Sequence, residues 1–165
     1  MKKLWLVLTV LLLGAVPALA GELHPFVRGS WQELRQAHAG RPAVVHLWGL
    51  TCAPCIAELP EWGKLARERP DLELVLVAAD QRGEDEGPIG TALRTAGLGQ
   101  VESWGFADRF AARLRFEIDP RWQGEMPRTL LIAADGEVTS ISGVADLAAV
   151  RAWLDAQKAK LASRE

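Results

Sequence analysis

Tyrosine is absent from the 165 residues, and cysteine and methionine occur only twice each. Two thiols exclude a disulfide-rich scaffold and any four-thiolate zinc or iron–sulfur centre within one chain. Histidine is nearly as scarce: His24, His38 and His46 are the full set, and none follows position 46. An excess of one charge is missing as well. Nineteen Lys and Arg face 21 Asp and Glu, for a net charge of −2, without the basic field that general nucleic-acid binding needs. The lack of tyrosine beside seven tryptophans has no chemistry attached to it. What is present is globular. An apolar fraction of 49% and a charged fraction of 24% suit one domain with a real core; two full domains would be cramped.

Residues 1–20 read as an export signal. Met1-Lys2-Lys3 is a short basic start, Leu4 to Leu13 an uncharged aliphatic run, and Ala18-Leu19-Ala20 a small-x-small site, the three parts of a secretory signal peptide with cleavage expected after Ala20. An uncleaved membrane anchor is the nearer rival, although a spanning helix wants about 20 apolar residues. Without Lys2 and Lys3 the remainder, 21–165, has 17 basic and 21 acidic residues. The basic start and A-x-A end suit bacterial export, hence a periplasmic or other extracytoplasmic location in which a disulfide persists.

Along 21–165, a loose leading segment covers 21–29. Ser30 with Glu33 forms a capping box that predicts a helix from Trp31 to about His38. Ala43 to Trp48 is apolar on both faces, as in a central buried strand. A helix is expected from the cysteines to about Arg69, with apolar Ile56, Leu59, Trp62 and Leu65 at helical spacing and a kink at Pro60. Leu72 to Ala79 reads as a second buried strand. The acidic run Glu84-Asp85-Glu86 belongs to a solvated loop, followed by a short helix over 88–95. A short strand around Trp104, a helix capped by Asp108 through about Leu114, and a third strand over 129–133 come next. Asp135-Gly136 signals a hairpin returning along 137–142, and Asp146 caps the last helix, with Leu147, Val150 and Leu154 inward. Strand–helix–strand units first and a hairpin last imply a mixed central sheet with helices on both faces.

The chemistry centres on Cys52-Ala53-Pro54-Cys55, placed where a strand ends and a helix begins. Unpaired backbone N–H groups and a partial positive charge at a helix start stabilise a thiolate. The i, i+3 spacing sets the second sulfur beside the first, ready to close a disulfide. Cys52, the outer thiol, is the expected nucleophile, and Cys55, one turn deeper, the resolving thiol. A purely structural staple would close a ring of four residues, which gains little because loop-entropy stabilisation grows with loop length. Zinc would need two more ligands from a chain with three histidines. Haem attachment needs His directly after the motif, where Ile56 stands.

Gly40 to Trp48 running into Cys52-Ala53-Pro54-Cys55-Ile56-Ala57-Glu58-Leu59-Pro60, with Gly124-Glu125-Met126-Pro127-Arg128-Thr129 and Asp135-Gly136 downstream, resembles the thioredoxin superfamily. More narrowly, the chain is similar to the exported TlpA/ResA/CcmG-type thiol–disulfide oxidoreductases, over residues 30–160. The resemblance implies a thioredoxin-like three-layer α/β sandwich and disulfide exchange with substrate proteins. It implies no metal and no cofactor, and a membrane electron donor of the DsbD/CcdA kind as partner. It also implies a cis Met126–Pro127 peptide facing the disulfide, where proline, lacking N–H, leaves the neighbouring backbone free to pair with an extended substrate. Trp48, Pro54 and Glu58 match family positions, Glu58 with a helix-surface charge as the alternative.

Three positions depart from that pattern. Thr51 stands where many relatives have a shielding Trp. Ile56 replaces a cation. His46 occupies the place of the buried Asp that serves thioredoxins as proton acceptor for the resolving thiol; a neutral imidazole can take that role, the alternative being a core histidine. Ala53-Pro54 supplies no charge, which predicts modest thiolate stabilisation and a reductase. A thiol oxidant, a Cu(I) protein using Cys52, Cys55 and Met126, and a binding module with an inert disulfide are the competing readings. The copper reading lacks the distal histidine of Sco-type chaperones. The stretch 80–126 is expected to shape the substrate groove.

Overall fold

A computed structural model describes residues 21–80 and 86–163. The export-signal reading of 1–20 and the acidic pair Glu84-Asp85 lie outside the described residues. The elements run β1 (Leu23–Phe26), α1 (Ser30–Ala37), β2 (Ala43–Trp48), α2 (Ala53–Glu68), β3 (Glu73–Ala78), α3 (Glu86–Thr95), β4 (Glu102–Phe106), α4 (Ala111–Ile118), β5 (Arg128–Ile132), β6 (Val138–Ser142) and α5 (Leu147–Ala162).

The six strands form one sheet in the order β1-β4-β3-β2-β5-β6. β1, β4, β3 and β2 are mutually parallel, and β5 and β6 join antiparallel, as the front units and late hairpin require. Because side chains alternate along a strand, β2 divides its residues between two cores. Val45 and Leu47 face α1 and α4, packing with Leu34, Leu114 and Trp122. Val44 and Trp48 face the other layer with Leu59, Trp62, Val150 and Leu154 of α2 and α5. All six residues of β2 are buried, which explains why the sequence shows a continuous apolar run there. Burying each large aliphatic side chain contributes about 1.5–3 kcal/mol.

Several boundaries differ from the sequence reading. Residues 23–26 are not a loose segment: they add an edge strand to β4, paired from Leu23 with Ser103 to Phe26 with Phe106. A four-residue strand is too short to show periodicity, and its pairing is supplied by a distant partner. Ser30 is not the α1 cap. Gly29 takes that place at φ 90°, with no side-chain cap, and the Ser30 hydroxyl accepts the Val27 N–H at 3.0 Å instead. Asp108 accepts the Phe110 N–H at 2.9 Å, so α4 starts later, at Ala111, and runs on to Ile118. α2 continues through Pro60, held by its buried face of Cys55, Leu59, Trp62 and Leu65. The Asp146 cap is present, its carboxylate accepting from Ala148 and Ala149 N–H.

β5 is fastened by a buried ion cluster. The Arg128 guanidinium, 5% exposed, reaches Asp119 Oδ2 at 2.5 Å and Glu125 Oε1 at 2.6 Å, and donates to Ser142 Oγ at 2.7 Å. The Arg121 backbone N–H, and after it the Arg128 guanidinium, hold the Asp119 carboxyl below the usual carboxylate range despite its burial. A depressed folded-state pKa contributes stability that is complete above the unfolded value of about 3.9 and is lost as pH falls through the folded one. Thermal unfolding followed by circular dichroism is therefore expected to show a midpoint that drops below about pH 4, with Asp119→Asn flattening part of that drop. An Asp119→Asn profile parallel to wild type would refute the assignment.

Candidate active site

β2 carries the chain to the end of the sheet, and Gly49 to Thr51 turn it into α2. The turn is closed by the Cys52 N–H on the Gly49 carbonyl at 3.2 Å. Cys52 is the N-cap of α2 and forms a disulfide with Cys55, their Cα atoms 5.2 Å apart. The Cys52 Sγ also accepts the Cys55 backbone N–H at 3.3 Å, so a helix-terminal donor is aimed at the outer sulfur. No acidic residue lies in the first turn of α2. Cys52 is half-buried and Cys55 fully buried, so the outer sulfur is the one another molecule can reach. Pro54 and Thr51 are exposed, and Ile56 is 38% exposed, so these three set uncharged side chains beside the disulfide.

The Met126–Pro127 peptide bond is cis. Met126 is partly buried and packs against both cores, whose α2-side cluster also holds Cys52, Cys55 and Trp48. The Pro127 carbonyl accepts the Gly143 N–H at 2.8 Å. That bond ties the start of β5 to the loop leading into α5. Trp48 is fully buried at the end of β2, and its backbone carbonyl accepts the Ala79 N–H at 2.8 Å.

His46 lies two residues from both Val44 and Trp48, shares their face of β2 and so points toward α2. It is fully buried and lies against the Trp62 ring, centroids 4.8 Å apart. Its Nδ1 is 3.1 Å from Thr129 Oγ1 on β5. Its Nε2 lies 2.9 Å from Glu58 Oε1, though off the line of a straight hydrogen bond. Glu58 is not a helix-surface charge: it is 7% exposed, and its other oxygen faces the Ala145 N–H at 3.3 Å. Residues from α2, β2, β5 and the 143–145 loop therefore meet around His46 on the α2 side of the sheet. Thr129 escaped the sequence reading because only the antiparallel register, His46 opposite Thr129, brings it there. Asp80 also escaped. Its carboxylate accepts the Leu50 N–H and, at 3.1 Å, the Thr51 hydroxyl. Its position just beyond an apolar strand, at the carboxyl end of a parallel sheet where sites gather, was the available signal.

Among solved structures, the chain is similar to a secreted disulfide oxidoreductase of Mycobacterium tuberculosis homologous to E. coli DsbE. Identity is 25% and the TM-score 0.53, covering 66% of this chain and 74% of that one. It is also similar to M. tuberculosis DsbF, at 20% identity and a TM-score of 0.58 over 74% and 84% of the two chains. The third is StoA from Bacillus subtilis, at 18% identity and 0.53 over 70% and 83%. No family model and no curated protein sequence matches the chain. The mixed sheet and flanking helices are a thioredoxin-like fold. Fold and CxxC pair together support the activity of a thiol–disulfide oxidoreductase.

Proposed function

We propose that the protein is an extracytoplasmic thiol–disulfide oxidoreductase that works as a reductase of disulfides in substrate proteins. The observation that carries this reading is the Cys52–Cys55 pair at the start of α2, one sulfur accessible and one buried. In the reducing direction the Cys52 thiolate attacks a substrate disulfide. A Cys52–substrate disulfide forms, and one substrate sulfur leaves as thiolate. The Cys55 thiolate then attacks Cys52, restoring the Cys52–Cys55 bond and releasing the second substrate thiolate. The substrate gains two electrons and the dithiol loses them.

Cys55 must lose its proton for the second step. The His46–Glu58 pair is the proton-accepting group the buried surroundings offer on this face, and Thr129 orients the imidazole. Met126 and Pro127 border the pair, and Thr51 and Ile56 present an uncharged rim to substrate. Secretion of the M. tuberculosis relative and the signal-like pattern of residues 1–20 support an extracytoplasmic site. A reductase there requires recharging, for which a membrane electron donor of the DsbD/CcdA kind is the candidate. No described helix is long and apolar enough to cross a membrane.

Direction follows from potential. The uncharged Ala53-Pro54 and Ile56 provide no cation to hold a thiolate beyond what the helix start supplies. The equilibrium reduction potential, measured in glutathione and dithiothreitol buffers, is expected near the thioredoxin value of about −270 mV. A value near about −120 mV, the DsbA end of the range, would overturn the reductase reading and mark an oxidant.

A further inference from the structure

Cys52 is delivered to the helix start by the turn 49–52, and that turn is gripped by a single carboxylate. The β2–β3 pairing extends by one rung through Ala79 N–H on the Trp48 carbonyl, which sets the next residue, Asp80, beside the turn. One Asp80 oxygen takes the Leu50 N–H and the other takes the Thr51 hydroxyl, the two residues directly before Cys52. Gly49 is part of the same fit: a Cβ at that position would run into the Asp80 carboxylate. The grip is therefore built from β3, from the glycine that admits it, and from the threonine that stands before the first cysteine.

We infer that Asp80 is a positioning residue for the redox pair: it clamps the turn that delivers Cys52, and its charge holds down the Cys52 thiolate. The helix start favours that thiolate, with the Cys55 N–H aimed at Sγ and no acidic residue in the first turn. A carboxylate fixed to the residue before Cys52 acts in the opposite sense. It disfavours the anionic reduced form and so lowers the potential of the pair. Thr51 then has a definite part, as the hydroxyl that completes the clamp. Among the described residues, the other charged or titratable groups on elements packed against the pair are Glu58, Glu61, Lys64, Arg67 and Glu68 on α2, His46 on β2, Glu73 on β3, Arg128 on β5, and Asp146, Arg151, Asp155, Lys158 and Lys160 on α5 and its cap. All of these are unchanged in the variants below.

The inference rests on Cys52–Cys55 being redox-active but not on the direction of its reaction. The test uses the full chain as wild type, Asp80→Asn, Asp80→Ala and Thr51→Val. Asn keeps an acceptor for Leu50 N–H and a partner for the Thr51 hydroxyl while removing the charge; Val removes the hydroxyl and keeps the charge. Two quantities are read: the Cys52 thiolate titration by absorbance at 240 nm, and the equilibrium in which the disulfide and two glutathione thiols give the dithiol and glutathione disulfide. Asp80→Asn is expected to lower the Cys52 titration by about 0.5 to 1 pH unit and to move the equilibrium toward the dithiol by about three- to tenfold. Thr51→Val is expected to stay within about twofold of wild type, since it leaves the charge in place. Asp80→Ala adds lower stability to the charge effect, and if it fails to fold Asp80→Asn still decides. An Asp80→Asn protein that matches wild type in both quantities overturns the inference, as does one indistinguishable from Thr51→Val. Failure of the redox reading itself looks different: the wild-type pair would not equilibrate with glutathione at all.

Discussion

Cys52→Ser is expected to abolish turnover in an insulin-disulfide reduction assay, a loss on the order of a thousandfold or more, because no other group in the chain replaces the attacking thiolate. The only other sulfur nucleophile, Cys55, is fully buried and cannot meet a protein disulfide in line. Cys55→Ser is expected to fail differently. Its Cys52 still attacks, but nothing resolves the product, so a covalent Cys52–substrate species accumulates and is visible on a non-reducing gel. The asymmetry is the informative part, since it follows from half-burial of one sulfur and full burial of the other on the same helix turn. Undiminished activity in Cys52→Ser would mean that the disulfide is a staple, and would favour the binding-module reading over catalysis.

Arg128→Ala is expected to lower stability by about 3–5 kcal/mol, the range for breaking a buried ion pair by removing one partner. Truncation leaves the Asp119 and Glu125 carboxylates facing the space the guanidinium filled, and Asp119 is too buried to recover its hydration. The cost is that of the stranded charge rather than the worth of the bond. Arg128→Met combined with Asp119→Asn should therefore recover much of the loss, because the pair is removed together. Urea denaturation of the three proteins measures both effects. A single Arg128→Ala change below about 1 kcal/mol, the value of an exposed pair, would show that water reaches the cluster. Arg128 directly follows Pro127, so the same variant tests whether this cluster fixes the start of β5.

Much of this molecule is legible without coordinates. Residues 43–48 and 72–79 read as buried strands because both faces of β2 and nearly all of β3 are enclosed, which erases alternation and leaves a continuous apolar run. The placement of Cys52 and Cys55 follows from local order alone: a strand, a glycine turn, then a helical pattern beginning at the cysteines. Asp146 and Asp135-Gly136 report local hydrogen bonds that local sequence can specify. The misreadings have one cause. Ser30 and Asp108 are competent caps, yet each bonds a different nearby N–H once neighbouring strands fix where α1 and α4 begin. β1 exists because β4 is beside it.

The sequence by itself determined the cysteine pair and the strand–helix junction that carries it, because each depends on residues within a few positions of one another. The tertiary structure decided the surroundings of the pair. Glu58 is a buried partner of His46 rather than a surface charge, Thr129 meets His46 only through antiparallel register, and Asp80 reaches the cysteine turn only because β3 lies beside β2. These contacts join residues about 12 to 83 positions apart, and no local propensity encodes a partner at that distance; packing of one face against another does.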